Sequence, residues 1–322
     1  MNRLFKMHET SIIILLLLYI AFVGVMNPSF VQFSSLSLIM KSSVILVILA
    51  IGQSFVLFTK NIDVSVGSIM GLSAAVCGML LTDGYSAFIS IFAAIILGAL
   101  IGMVNGIGVT KFRVPAIIMT LGMLGIIRGA MLLFTGGKWI EDIPNEYKHI
   151  SSIMMLGIPV TVWTVLIILL LLYFFLMKVQ IGRYFYAVGD NEDGARFIGI
   201  HVDKVKIYAF IISGISAGLA GCIFVMNIGF VPNQTGTGIE LQVIAAAVLG
   251  GIHLKGGTGS IFGAALGAFF LEVISSSLVF LKIPAFWNSA ISGFLLLLII
   301  ILDSVLKKWK KLRQLEERRV NL

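Results

Sequence analysis

The sequence predicts an all-α polytopic membrane protein, a single transmembrane domain over residues 1–322. Of the 322 residues, 59% are hydrophobic and only 12% are charged, and the mean hydropathy is +1.06. Soluble domains carry about 25% charged residues, so a bilayer is needed as the solvent for the excess apolar surface. Apolar runs of the length needed to span a bilayer, about 20 residues each, recur along the whole chain.

Ten apolar segments predict about ten transmembrane helices, some of them short or broken. We place them at 11–27, 36–58, 67–82, 87–109, 114–135, 159–177, 207–228, 241–252, 260–280 and 286–303. The first segment follows Arg3 and Lys6 as in a signal peptide, but no small-residue cleavage site follows it. We therefore interpret it as a retained anchor helix. The eighth is too short to cross alone and the third is marginal, so nine spans is the alternative.

Basic residues predict the orientation, because cytoplasmic loops retain lysine and arginine. With ten spans, 18 of the 23 basic residues fall on the cytoplasmic side, and both termini lie there. Nine spans would move the basic tail, residues 304–322, to the outside. The net charge of +8 then reflects orientation and contact with anionic lipid, and nucleic acid is not expected as a partner.

Motifs for enzyme or metal chemistry do not emerge from the sequence. Cys77 and Cys222 lie inside apolar runs and are expected to pack as small hydrophobic residues. The four histidines are scattered, and no phosphate-binding loop of the form GxxxxGK[ST] occurs. We therefore predict no catalytic residue, no metal site and no cofactor bound by this chain.

A first polar break, TKNIDVSVGS at residues 59–68, separates two apolar helices. Asp63, Ser65 and Ser68 resemble N-terminal caps of the second helix. Broken helices in transporters expose backbone dipoles to a cavity, which makes Asp63 and Ser65 candidate pathway residues. The alternative is a cytoplasmic turn in which Asp63 is an ordinary cap, and both interpretations remain open.

A second polar break, PNQTGTGIE at residues 232–240, leads into a short apolar helix. Asn233, Gln234 and Thr235 are uncharged hydrogen-bonding residues that suit a hydroxyl-rich solute. Glu240 falls in the first turn of the helix, where the helix dipole favours a carboxylate. These four residues are candidates for the pathway, and an exposed turn is the alternative.

Two charges, Arg128 and Glu272, fall within predicted spans. A bare charge at membrane depth is costly, so each is expected to face the protein interior or a partner. Arg128 joins the candidate pathway residues.

Glycine is abundant, with 34 residues, and small residues recur four apart in several spans, which predicts close helix packing. The run GSIxG occurs at 67–71 and again at 259–263, which hints at two related halves. Chance is the competing explanation in so glycine-rich a chain.

The predicted cytoplasmic loop at residues 178–206 contains a short helix between 189 and 199. Its start offers capping residues, acids follow in the first turn, and a glycine can close its end. Phe197 and Ile198 would then be exposed and could enter a groove of a partner protein. A helix lying on the membrane surface is the alternative. The candidate coupling residues are Asp190, Asn191, Ala195, Arg196, Phe197 and Gly199.

Three segments together resemble the ribose-type permeases of bacterial ATP-binding-cassette importers. They are Asn61–Ser68, Gly182–Ile200 and Gly236–Gly251, in the order that the family has them. Within the family, the chain is most similar to the autoinducer-2 import permeases. That closer likeness lies in Thr135–Glu141 and Ile228–Gly238.

The resemblance implies a permease subunit in the bacterial inner membrane that translocates autoinducer-2 by alternating access. It implies a periplasmic substrate-binding protein, a second and related permease chain, and ATPase subunits that bind ATP and Mg. The helix at 189–199 would couple to the ATPase.

Three alternatives remain. The solute is ribose or another monosaccharide, or the chain is an ion-coupled secondary transporter with Asp63, Glu240 and Glu272 as proton carriers, or it is a scaffold that transports nothing. The polar helix breaks argue against the scaffold, because a scaffold gains nothing from interrupted helices.

Overall fold

The computed structural model describes residues 2–284 together with 287, 290, 291, 293, 294 and 297, with side chains from Glu9 onward. The predicted basic tail at 304–322 and, apart from these six positions, the predicted tenth span at 286–303 lie outside the described residues.

The described part of the chain is almost entirely helical, as predicted. Its α-helices are α1 Asn2–Met26, α2 Phe33–Phe58, α3 Val66–Thr82, α4 Ala87–Thr110, α5 Ala116–Thr135, α6 Asn145–Ile150, α7 Val160–Lys178, α8 Gln180–Asp190, α9 Glu192–Phe197, α10 Val202–Ile228, α11 Ile239–Leu249 and α12 Ile261–Phe280. A 3-10 helix at Pro28–Val31 joins α1 to α2, and two short strands, β1 Met154–Met155 and β2 Ile158–Pro159, pair antiparallel between α6 and α7.

Seven of the described helices, α1, α2, α4, α5, α7, α10 and α12, are long and apolar enough to cross a membrane, and α3 and α11 are shorter apolar helices. The chain is therefore a polytopic membrane protein. The windows of α2, α10 and α12 are 67% buried, whereas those of α1 and α5 are 17% buried. The first three thus form the interior of the bundle, and α1 and α5 lie at its periphery.

The chain between α10 and α11 explains why the predicted eighth span is short. After Gly229, which has φ +82°, residues 229–238 run without helix along α3. Val231, Thr235 and Gly236 lie in turn against Gly78, Gly71 and Gly67. The distance along α3 from Gly78 to Gly67 is about 16 Å, roughly half the hydrocarbon core of a bilayer. The non-helical stretch and the half-length α11 together occupy the place of the predicted eighth span. We name residues 229–238 the re-entrant segment.

Close packing through glycine is confirmed between α4 and α10. Gly98 and Gly214 contact each other through their backbones, and Gly102 of α4 lies against Phe210 of α10. A Cβ on any of these glycines would collide with the facing backbone. The pair on α5 differs, because no described atom lies within 4 Å of a Cβ built at Gly125 or Gly129. Within the described residues, these two glycines face outward and do not pack.

The two GSIxG runs occupy different positions in their helices. Gly67–Gly71 lies inside α3, whose N-cap is Ser65, whereas Ser260 is itself the N-cap of α12. The runs are therefore offset by three residues relative to their helix starts, and a relation between two halves stays a prediction.

The loop at 178–206 contains more helix than predicted. The single helix expected over 189–199 is the end of α8 followed by the six-residue α9. Helix α8 buries one face, formed by Phe185, Val188 and Gly189, against the ends of α2 and α12. Loop and helix α8 together form the end of the bundle opposite the β1–β2 hairpin.

Candidate solute pathway and coupling site

A cavity of about 460 Å³ lies among α2, α10, α11, α12 and the re-entrant segment, towards the hairpin end of the bundle. Its wall is partly apolar, including Leu46, Met70 and Phe224. The polar residues that line it are Lys41, Ser42, Asn227, Thr237, Gln242 and Glu272. Non-helical backbone is tolerated at membrane depth where it is buried in protein or lines a cavity, and Gly236–Gly238 does the latter.

None of the seven residues predicted for the pathway lines this cavity, although Thr237 and Gln242 are their close neighbours in sequence. A role of the seven predicted residues in the pathway therefore stays a prediction, and the cavity adds a second set of candidate side chains. Lys41 and Glu272 had a signal in the sequence, since both are charges inside apolar spans. Asn227, at the end of α10, had none, because an amide near a helix end is common.

The first break is a closed hydrogen-bonded junction. Asp63 is fully buried, and its carboxylate accepts from the Ser65 backbone N–H at 2.9 Å, the Ser65 hydroxyl at 2.6 Å and the Ser213 hydroxyl at 3.0 Å. Asn105 of α4 donates to Ser65 Oγ at 2.8 Å. Thr120 of α5 accepts from the Val64 N–H at 3.1 Å. Asp63 thus joins α3 to α10, while the N-cap position of α3 belongs to Ser65.

Arg128 and Glu240 form an ion pair, with Arg128 Nη2 donating to Glu240 Oε1 at 3.0 Å. The Arg128 side chain is 35% exposed and that of Glu240 is 12% exposed. Glu240 lies in the first turn of α11, as predicted, and its Oε2 is buried without a hydrogen-bond partner among the described residues. The expectation that Arg128 faces a partner charge is confirmed.

Two segments distant in sequence meet at the hairpin end. The backbones of Ile140 and Val231 exchange hydrogen bonds of 3.0 and 2.8 Å, and Trp139 stacks on Phe230 at 5.7 Å. Asn233 Nδ2 donates to the Gly137 carbonyl at 2.8 Å. The loop after α5 is thereby attached to the re-entrant segment.

The other two candidates of the second break differ in exposure. Thr235 is buried and donates its hydroxyl to the Pro232 carbonyl at 2.7 Å, which stabilises the turn. Gln234 is exposed. Asn233 and Thr235 are therefore used within the protein, and a role for any of the three in solute contact stays a prediction.

Helix α9 has the local structure that the sequence predicts. The Asn191 side chain accepts from the Gly194 N–H at 2.9 Å, and Gly199 ends the segment with φ +83°. Lys206 Nζ donates to Glu192 at 2.6 Å, which attaches the start of α9 to α10. Phe197 is 90% exposed, although it is apolar and large.

The remaining coupling candidates share in this packing. Ala195 is buried on the inner face of α9. Arg196 Nη2 forms an ion pair with Asp203 Oδ1 of α10 at 3.5 Å. Asp190 is the last residue of α8 and lies against Gly257. The arrangement holds α9 rigidly on the bundle with its apolar tip, Phe197 and Ile198, in solvent.

Helix α8 connects α9 to the helices that surround the cavity. Gly189 lies against the Phe58 carbonyl, and the Gly257 N–H donates to that carbonyl at 3.0 Å. Tyr186 packs on the Phe58 ring at 4.4 Å and donates to the Gly259 carbonyl at 3.3 Å. Burial raises the pKa of the Tyr186 phenol, so it stays a neutral donor. A displacement of α9 would therefore reach the ends of both α2 and α12.

A family of permeases, described as the permease component of branched-chain amino acid transport systems, matches residues 35–300 of the chain. This range contains both polar breaks, the cavity and the α8–α9 unit. The chain belongs to this permease family. It is thus a transport subunit, and the absence of enzyme motifs from its sequence agrees with that assignment.

Curated relatives of the permease are named autoinducer 2 import system permease protein LsrC. The protein of Photorhabdus luminescens is 47% identical over 299 residues, covering 93% of this chain and 90% of the relative. That of Escherichia coli K12 is 46% identical over 298 residues, covering 92% and 87%. That of Enterobacter sp. 638 is 46% identical over 308 residues, covering 96% and 90%. No solved structure matches the permease.

Proposed function

We propose that the permease is the membrane-spanning subunit of an ATP-binding-cassette importer, and that the solute it translocates is autoinducer-2. The observation that supports this most is the 46–47% identity to autoinducer-2 import permeases over more than nine-tenths of the chain. Ribose or another monosaccharide is the second candidate, because the polar lining of the cavity suits any small polyol.

The topology belongs to the same proposal. The permease has ten spans in the bacterial inner membrane, both termini are cytoplasmic, and the hairpin end of the bundle faces the periplasm. The distribution of lysine and arginine supports this orientation. Residues 229–249 count as one span, made of the re-entrant segment and α11.

The partners follow from the surfaces that the permease leaves open. ATPase subunits that bind ATP and Mg dock on the tip of α9, where two large apolar residues are exposed to solvent. A periplasmic substrate-binding protein delivers the solute to the hairpin end. A second, related permease chain packs on the bundle, and lipid covers the remaining apolar surface. The permease itself binds no cofactor.

Transport proceeds by alternating access in this proposal. ATP-driven closure of the ATPase moves α9, and the rigid contact of α8 with Phe58 and Gly257 passes the motion to α2 and α12. Helices α2 and α12 form two walls of the cavity. Their movement therefore closes the cavity towards one side of the membrane and opens it towards the other. The ATPase supplies the driving energy, because solute binding alone shifts an equilibrium only by its differential affinity for the two states.

The test is uptake by vesicles that contain the whole importer, purified through a tag on the permease, with ATP inside. Labelled autoinducer-2 and the substrate-binding protein are supplied outside. We expect ATP-dependent uptake that excess unlabelled ribose does not suppress. Suppression by ribose would favour the monosaccharide permease. Uptake by the permease alone, driven by an ion gradient, would reject the importer.

A further inference from the structure

The cavity contains polar groups that the protein itself leaves unused. Asn227 Oδ1 is buried without a hydrogen-bond partner among the described residues. Ser42 and Thr237, which are exposed, and the half-buried Gln242 also line the cavity, and their side chains form no hydrogen bond within the described part of the chain. Buried polar groups in proteins are almost always hydrogen-bonded, and an unsatisfied one in a membrane costs several kcal/mol. The buried Asn227 oxygen therefore needs a ligand or water in this space.

The cavity is lined by one cationic and one anionic side chain. Lys41 of α2 and Glu272 of α12 both line it, yet among the described residues they form no ion pair with each other or with another side chain. Glu272 accepts only a long bond from Ser276, at 3.4 Å. Charged groups at membrane depth are expected to be paired or to face a functional cavity. One cation and one carboxylate present both donors and acceptors to a neutral solute.

We propose that these six residues, Lys41, Ser42, Asn227, Thr237, Gln242 and Glu272, form the solute-binding site, and that its ligand is a small neutral polyhydroxylated molecule. The carboxylate of Glu272 and the amide oxygens of Asn227 and Gln242 accept from ligand hydroxyls. Lys41 and the amide N–H groups donate to ligand oxygens. The apolar residues between them contact the carbon skeleton. The volume of about 460 Å³ lies within the range of small-molecule sites.

A zwitterionic amino acid is the competing ligand, because Lys41 and Glu272 could each pair with one of its charged groups. Such a ligand would leave the four uncharged groups of Ser42, Asn227, Thr237 and Gln242 without a role. A polyol uses all six. The assignment to polyols rests on the proposed function, whereas the location of the site rests on the cavity alone.

The first experiment uses the whole importer in vesicles and compares Gln242→Leu and Glu272→Gln with wild type. Each variant removes a group that binds ligand, and we expect the KM for uptake to rise roughly tenfold. Recovery of the intact complex through the tag on the permease verifies folding and assembly of each variant. The matched controls are Gln32→Leu, at the exposed start of α2, and Glu146→Gln, which is exposed on α6; both should leave the KM unchanged.

The second experiment labels Ser42→Cys with a membrane-impermeant thiol reagent added outside. Cys77 and Cys222 are fully buried, so the unmodified protein should not react. We expect the solute that wild type transports to slow labelling of the introduced thiol at least roughly tenfold when it is saturating. Leucine at the same concentration should give no protection.

The outcomes separate the site from the proposed function. Wild-type uptake of autoinducer-2 with unchanged KM in both cavity variants would overturn the site and leave the function intact. Wild-type uptake of ribose in place of autoinducer-2, with raised KM in the variants, would overturn the function and support the site. Uptake of leucine, or its protection of the thiol, would overturn the polyol assignment.

Discussion

The acidic residues of the permease interior have different roles, which their partners determine. Asp63 has three hydrogen bonds from two helices and no access to solvent, so it stabilises a junction. Glu240 is ion-paired with Arg128 but retains one unpartnered oxygen. Glu272 has a single weak partner and lines the cavity. Of the three, Asp63 has the most protein partners, and Glu272 alone lines the cavity.

The Arg128–Glu240 pair is expected to stabilise the junction of α5 with α11. Removal of one partner leaves a partly buried charge uncompensated, so Arg128→Met and Glu240→Gln should each destabilise the permease. The double variant should be less destabilised than the sum of the two. We expect a coupling energy of about 1–2 kcal/mol, at the upper end of polar pairs in membranes because Glu240 is largely buried. Thermal unfolding in detergent measures all three variants, and additive effects would contradict the prediction.

At the scale of elements, the re-entrant segment is the feature that makes the cavity. Its non-helical backbone approaches α3 closely because α3 provides glycine at Gly67, Gly71 and Gly78. Residues 236–238 of the segment, together with α2, α11 and α12, line the cavity. The glycine spacing of α3 predicts the close approach of another helix. In the structure these glycines instead contact the non-helical backbone of the re-entrant segment.

Gly71→Ala should disturb the contact between α3 and the re-entrant segment. The added methyl would meet the Thr235 carbonyl group, whose carbon lies 3.2 Å from the Cβ position, and backbone there cannot move without shifting the cavity wall. We expect a loss of about 1–3 kcal/mol in unfolding free energy, together with a raised KM for uptake. The measurements are thermal unfolding in detergent and vesicle uptake.

The control for that prediction is Gly122→Ala on α5, where no described atom lies within 4 Å of the new methyl. Glycine-to-alanine changes in an open helix position gain up to about 1 kcal/mol through helix propensity. Equal effects from both alanines would show that propensity, rather than contact with the re-entrant segment, determines the result.

Most of the element pattern could be predicted from the sequence, because spans are marked by apolar length alone. The predicted segment 87–109 became Ala87–Thr110, and 67–82 became Val66–Thr82. The re-entrant course of residues 229–238 could not be predicted, since it depends on which glycines face it. The same holds for the cavity, because convergence of Lys41, Gln242 and Glu272 from three helices leaves no local pattern.

At the scale of the whole molecule, the two ends of the permease are mechanically linked through α2. Its first half lines the cavity with Lys41 and Ser42, and its last residue, Phe58, packs its ring on Tyr186 of α8 and accepts a hydrogen bond from Gly257 at its carbonyl. The inner half of α2 is continuously buried, so it can transmit displacement as a rod. The residues between the two ends need no charge or flexibility for this role.

The exposed tip of α9 is the point at which the whole molecule should receive that displacement. Phe197 and Ile198 are 90% and 74% exposed at the solvent end of a helix that is otherwise fixed to the bundle. A large apolar residue in that position is typical of an anchor that fills a pocket of a partner. The double substitution Phe197→Asp with Ile198→Asp should therefore prevent the ATPase from binding, without unfolding the permease.

Co-purification of the ATPase with the tagged permease measures this loss. Removal of two anchor residues should lower the recovered ATPase at least roughly tenfold. Phe112→Asp is the matched control, because Phe112 is 76% exposed in the connection from α4 to α5 and lies outside the α8–α9 unit. Unaltered thermal unfolding of the double variant would exclude misfolding. Full recovery of ATPase with an intact double variant would mean that α9 is not the coupling contact. The contact of α8 with α2 would then not transmit motion of the ATPase.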